Sequence, residues 1–267
     1  MWLTEIWFYS MKNFIRGGDY MEKKTEKVSK KSFLLIILMA AIAVVSACRS
    51  EENKALEAAL NPYRILSLSD EKRSAFLTET EGKIAAAAET SAESAEANTE
   101  ALWRIAAGYG YVAAGEFETA LKSFESAFDK LHGLTSYPQF YYYAGVAAAS
   151  QAKQSPIESQ KALLFEKAIY YYNRALELSS TYTNAYYGLG VIYYFELGDA
   201  DTGLEYALKA IGADPDQFGA RYMAARIYVE KGDNAKAIEQ YNYIIRHADK
   251  ETAASAVRNK EILESDG

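Results

Sequence analysis

Residues 224–247, AARIYVEKGDNAKAIEQYNYIIRH, decide the fold. Gly232-Asp233 divides two amphipathic stretches. A glycine there supplies a helix C-cap, and an acidic residue just after it favours the first turn of a new helix. Ala224-Ala225 gives the first helix a small middle, Ala237 lets the second approach closely, and Tyr241 is large enough to fill the remaining gap. The unit reads as helix–turn–helix.

Working upstream, the same order of small and aromatic residues returns three times. One unit holds Gly108, Tyr111, Gly115-Glu116-Phe117, Ala120, Phe124 and Ala127. Another has Ala144-Gly145, Ala168, Tyr172 and Ala175-Leu176, and a third has Leu189-Gly190, Tyr193, Gly198-Asp199, Ala210 and Asp214-Pro215. Four units in one order define a repeat. Two depart from the pattern. The second carries about 11 extra residues between Gly145 and Ala168, which predicts lengthened helices or a projecting loop. The third has one extra residue before Gly198, with Gly203 and Ala207 where the others have alanine and an aromatic, which predicts a looser or twisted unit.

This spacing resembles the tetratricopeptide repeat, a helix–turn–helix of 34 residues. The resemblance implies an all-α, right-handed superhelical array of about four units over 101–251. Residues 252–267 would follow as a polar-faced capping helix and tail, the terminal cover a solenoid needs. It also implies a concave groove lined by the first helix of each unit. Carried onto this chain, the partner-binding positions are Tyr109, Tyr142, Asn184, Tyr187, Val191, Tyr194, Tyr222 and Arg226. The chain has 22 Tyr against 11 Phe, and tyrosine combines a large apolar body with a polar tip suited to contact surfaces. Such a groove would take an extended peptide or an amphipathic helix. A Tyr-rich surface around Tyr141–Tyr143 and Tyr170–Tyr172 is a second candidate, for contact between copies of the chain. The family's subclass that grips acidic C-termini is not matched, because Tyr109, Tyr143 and Gly188 occupy three of its clamp positions.

The N-terminal region reads as an address. Residues 1–20 fit no leader and look like an extension before a true start at Met21. Lys23, Lys24, Lys27, Lys30 and Lys31 precede an apolar run, FLLIILMAAIAVV over 33–45, in the order of a secretory signal peptide over 21–47. That run is short for a membrane span, which needs about 20 apolar residues. Val45-Ser46-Ala47-Cys48 resembles the bacterial lipobox, which implies lipid, palmitate included, on Cys48, the only cysteine in the chain. A tether over 48–66 and N-terminal helices over 67–100 then lead to the repeats. Within that stretch a helix is expected from Ser69-Asp70-Glu71 to about Thr80, and the Ala-rich 82–99 as helix in preference to linker.

Chemistry is not evident. The sequence has no G-x-S-x-G, H-E-x-x-H, phosphate loop or dinucleotide turn, and a single cysteine excludes a cysteine-based zinc site. His132 and His247 sit near the ends of repeats, where caps and surface residues are the usual occupants. Neither catalytic residues, a metal nor a cofactor are expected. Net charge is −7, the wrong sign for a non-specific nucleic-acid binder, and removal of residues 1–47 leaves 22 basic against 32 acidic side chains. The sequence therefore suggests a lipid-anchored scaffold that binds a protein or peptide in the bacterial cell envelope. Arg49 after the cysteine favours the outer membrane, facing the periplasm, over the inner membrane. A small-ligand carrier serving a transport system is the alternative reading, distinguished by a deep closed cavity in place of an open groove.

Overall fold

The computed structural model describes residues 53–90, 94–131 and 137–265. The leader, Cys48, residues 1–20 and His132 lie outside these. Residues 1–55 form a separate unit, of which 53–55 are helical, and everything below concerns the unit that begins at Leu56.

Its described residues are all helix and turn. After helical residues 56–59 come α1 (Pro62–Leu66), α2 (Asp70–Thr90), α3 (Ser94–Ala114), α4 (Phe117–Phe128), α5 (Pro138–Gln154) and α6 (Glu158–Leu178). Then follow α7 (Thr183–Val191), a π-helical turn Ile192–Glu196, α8 (Ala200–Ala213), α9 (Phe218–Glu230), α10 (Asn234–His247) and α11 (Lys250–Ser265). From α2 onward each helix packs on the next, and the first helices α3, α5, α7 and α9 also touch in succession. That arrangement sets the four first helices side by side along one face of the array.

The turn glycines do what their positions require. Gly115, Gly198 and Gly232 have φ of 78°, 70° and 74°, a region where a side chain is strained. In the first and fourth repeats the Glu116 and Asp233 amides donate back to the Tyr111 and Tyr228 carbonyls, at 2.9 and 2.8 Å, closing the helix ends. The Asp199 and Asp233 side chains then accept from the Thr202 and Lys236 amides and start the second helices.

Small residues in the first helices set how closely the second helices approach. A Cβ built on Gly108 would lie 2.7 Å from the Phe124 ring, and one on Gly145 2.6 Å from Tyr172. The third repeat inverts this device. There the aromatic comes from the first helix, and a Cβ on Gly203 of α8 would meet the Tyr194 Cβ at 2.6 Å. Gly203 is the cavity that Tyr194 fills, so the unit is compensated and Ala207 is fully buried.

The single extra residue of the third repeat becomes the π turn. The Leu197 amide donates to the Ile192 carbonyl at 3.0 Å, five residues back, and Asp199 donates to Tyr193 at 2.8 Å, one residue farther than its counterparts. The 11 extra residues of the second repeat lengthen both of its helices, α5 and α6, without a projecting loop.

Three expectations need correction. The stretch 56–66 is not a free tether: Leu56, Ala59, Pro62 and Ile65 are buried against the repeats. The helix expected to end near Thr80 runs on to Thr90, and α3 begins at Ser94. The Tyr141–Tyr143 and Tyr170–Tyr172 cluster is mainly core. Tyr141, Tyr143, Tyr171 and Tyr172 are all buried: Tyr141 and Tyr171 pack on Phe128, Tyr143 on Tyr109, and Tyr172 against Gly145 and Gly188, whereas Tyr170 stands clear in solvent.

A buried carboxylate locks the first repeat. The Glu100 side chain is 1% exposed and pairs with Arg104 at 2.7 Å and with Lys130, beyond the end of α4, at 2.6 Å. Burial pushes its pKa up, but the hydrogen bonds from Lys130 and Arg104 outweigh burial and hold the carboxyl below its usual range.

Candidate partner-binding cleft

On α9, Tyr222, Arg226 and Val229 fall at i, i+4 and i+7 and so share one helix face. That face, with Tyr187 of α7 and Phe195 of the π turn on one side and Asn259, Ile262 and Leu263 of α11 on the other, encloses an open cleft of about 630 Å³. Gly219 makes room for it. The Tyr187 ring crosses α9 at the point where a Cβ on Gly219 would come within 2.9 Å. The Tyr222 hydroxyl donates to the Thr252 carbonyl at 2.7 Å and so fixes the capping helix as the far wall.

The lining is apolar with one cation. Phe195 and Ile262 are 49% and 61% exposed, and they share one cleft. The Arg226 guanidinium lies 5.4 Å from the Phe195 ring and 5.8 Å from the Tyr194 ring, and its Nε is 3.4 Å from Glu230. Cation–π attraction to the two rings holds the guanidinium at the cleft that Arg226 lines. Tyr194 itself is buried behind Arg226 and donates to Glu230. Burial, then the hydrogen bond to Glu230, pushes its phenol up to about 12.

The eight sequence-derived positions thus separate. Tyr187, Tyr222 and Arg226 line the cleft together. Val191 is half-buried beside them, and Asn184 accepts a hydrogen bond from the Gln217 amide at 3.0 Å, bracing α7 against the start of α9. Tyr194 supports the cleft from behind without lining it. Tyr142 lies away from it, with its ring 5.8 Å from Tyr172 and 5.4 Å from Tyr182. Tyr109 is a correction: it is 0% exposed, edge-on to Tyr143 at 5.0 Å, and presents no surface. Phe195, Met223, Ile262 and Leu263 were missed. The one available signal was the apolar pair Ile262-Leu263 in an otherwise polar helix.

A buried arginine, also unforeseen, builds the support below. Arg221 donates to the Pro215 carbonyl at 2.7 Å and to the Gln240 side chain at 2.8 Å, and its guanidinium lies 3.4 Å from the centre of the Tyr243 ring. Tyr243 stacks in turn on His247 at 4.2 Å. Burial lowers the Arg221 pKa from its usual value. A second hollow, about 560 Å³ between α2, α3 and α4, is polar and holds Arg73, Glu81, Tyr111 and Glu116. Among the described residues no group of three or more His, Cys, Asp or Glu is arranged to hold a metal, and no helix is long and apolar enough to cross a membrane.

Residues 165–198 match the family model described as TPR repeat, and 191–252 match the one described as tetratricopeptide repeat. The crystal structure of TTC0263, a thermophilic TPR protein of Thermus thermophilus, superposes with a TM-score of 0.55 at 18% identity, over 77% of this chain and 98% of that one. The crystal structure of MamA gives 0.49 at 22% identity, over 73% and 97%. That of YrrB, described as a TPR protein with an unusual peptide-binding site, gives 0.46 at 21%, over 68% and 90%. No curated protein matches the chain. The described residues form an all-helical tetratricopeptide-repeat array.

Proposed function

We propose that this chain is a non-catalytic, lipid-anchored scaffold of the bacterial cell envelope that holds a protein or peptide partner in the cleft of its third and fourth repeats. The observation that carries the binding reading is the cleft itself: open, lined by exposed Phe195 and Ile262, with Arg226 as its cation. An apolar side chain of the partner would enter between Tyr187 and Tyr222, while a carboxylate or carbonyl meets Arg226. The anchoring reading rests on the sequence: a basic segment, a short apolar run and a lipobox-like Val45-Ser46-Ala47-Cys48. Arg49 supports placement at the outer membrane, facing the periplasm. A ligand carrier is the second reading: the cleft volume lies within the roughly 300–1,000 Å³ of small-molecule pockets, but its open form favours the scaffold.

The test is an affinity capture from membranes with the parent chain and a Tyr187→Ala, Arg226→Ala variant side by side. A partner held by the parent and lost from an equally folded variant is the expected result. Identical partners with both baits would remove the cleft as the binding site, and the absence of any would favour the ligand carrier. For the anchor, Cys48→Ser should move the protein from the membrane fraction to the soluble one; retention in the membrane would sink lipidation.

A further inference from the structure

Every residue that lines the cleft of the third and fourth repeats lies in a helix or in the π turn. The walls therefore keep their own N–H and C=O groups bonded internally, and no strand edge faces the cleft. An extended peptide would find there none of the main-chain hydrogen bonds that give such segments their affinity. A helix brings its backbone already paired and needs only side-chain contacts.

The lining supplies contacts of that kind. Apart from Arg226, Asn259 and Gly219, its side chains are apolar or aromatic. The Tyr222 hydroxyl is taken up by the Thr252 carbonyl, so this residue presents its ring. Met223 is 3% exposed, and its methyl rests on Gly190, where an added Cβ would come within 2.6 Å of it. A thioether in that place is an adaptable surface for a side chain the size of leucine or phenylalanine.

Charge narrows the choice further. The chain carries 36 Asp and Glu against 29 Lys and Arg, yet no lining residue is acidic and Arg226 is the only charged one. Its side chain is 63% exposed, and its ion pair, 3.4 Å from Nε to Glu230, is an exposed contact of the kind that holds weakly. Glu230 is shared besides, since it also accepts from the Tyr194 hydroxyl. A partner's carboxylate would meet a cation here and no opposing charge in the lining, which sets its orientation as well as its preference.

We infer that the partner of this cleft is an amphipathic α-helix, not an extended segment, whose apolar stripe is flanked by an aspartate or glutamate that pairs with Arg226. The inference rests on the cleft being the partner site and goes further in naming the form and the charge of what enters it.

The probe is a display library of random peptides about 16 residues long, selected on the immobilised full-length parent. A parallel selection uses full-length Ile262→Asp, which places a charge at an exposed lining position and leaves the core untouched. Peptides held by the parent and not by the variant report the cleft. They should carry apolar residues at the helical spacing i, i+3, i+4 and i+7, with Asp or Glu beside them. The best of them, labelled with fluorescein, should lose about tenfold in affinity for the parent when its acid is changed to the amide, and nothing for Arg226→Gln. Cleft-dependent peptides with strictly alternating or proline-rich sequences overturn the helical form and leave the cleft a peptide site. An amide change that weakens binding to both chains alike, or to neither, overturns the pairing with Arg226. If no peptide distinguishes the parent from Ile262→Asp, the inference falls together with the cleft as a peptide site.

Discussion

Equivalent positions have opposite fates in the two halves of the array. In the first repeat, concave Tyr109 is fully buried, edge-on to Phe124 and Tyr143. In the fourth, Tyr222 and Arg226 face an open cleft. The difference does not lie in the repeat pattern, since the first and fourth repeats both close their turns with a positive-φ glycine, Gly115 and Gly232. It lies in what covers them. The N-terminal half carries an extra layer supplied by 56–66 and α2, and the C-terminal half is bounded only by the capping helix α11. A repeat position thus defines a direction, and the rest of the chain decides whether that direction is core or surface.

The widest gap between the halves should appear in stability. Tyr109→Ala empties a fully buried ring site and is expected to cost about 4 kcal/mol, read from urea unfolding; a loss no larger than that of an exposed residue would place Tyr109 at the surface after all. Tyr109→Phe, which removes only the unpartnered hydroxyl, should be neutral or stabilising by up to about 1 kcal/mol.

Next comes Glu100, a buried carboxylate where the fourth repeat instead buries Arg221. Glu100→Ala should cost about 3 kcal/mol, toward the low end for a broken buried pair, because Arg104 and Lys130 retain access to water. The sign of its pH dependence follows from a depressed folded pKa. The contribution is fully present above the unfolded carboxyl pKa and lost as pH falls through the folded one. The parent should therefore lose stability on acidification more steeply than the variant, and parallel stability–pH curves would contradict the pairing.

The smallest effect on folding belongs to the open half. Arg226→Ala removes an exposed ion pair and should change stability by no more than about 0.5 kcal/mol while abolishing capture of the partner. If stability fell as far as with Tyr109→Ala, the cleft would be a structural element and its binding role would fail.

Much of this was legible in residues. Gly115, Gly198 and Gly232 mark turns because only their φ values permit them, and Gly108 and Gly145 mark close approaches because rings lie against them. The inserted residue before Gly198 was visible, though not its form. The site was legible only in part, since a repeat pattern shows which way Tyr109 and Tyr222 point and not what lies opposite. The packing of 56–66 was legible and overlooked: Leu56, Ala59, Leu60, Ile65 and Leu66 are more apolar side chains than a free tether would carry. Glu100 and Arg221 escaped notice because charged residues are rarely buried, and nothing local distinguishes the few that are.

The π turn at Ile192–Glu196 shows how such an array tolerates changes in its length. An added residue in a regular helix swings everything beyond it by about 100°, which here would have turned Gly203 away from Tyr194. Instead the surplus is stored in one wide turn, and α8 begins at its proper angle. The end of a first helix is thus a place where a repeat can gain or lose a residue while its neighbours stay in phase, so units of unequal length can share one superhelix. Variation in such an array can accumulate inside a repeat without any change in the number of repeats.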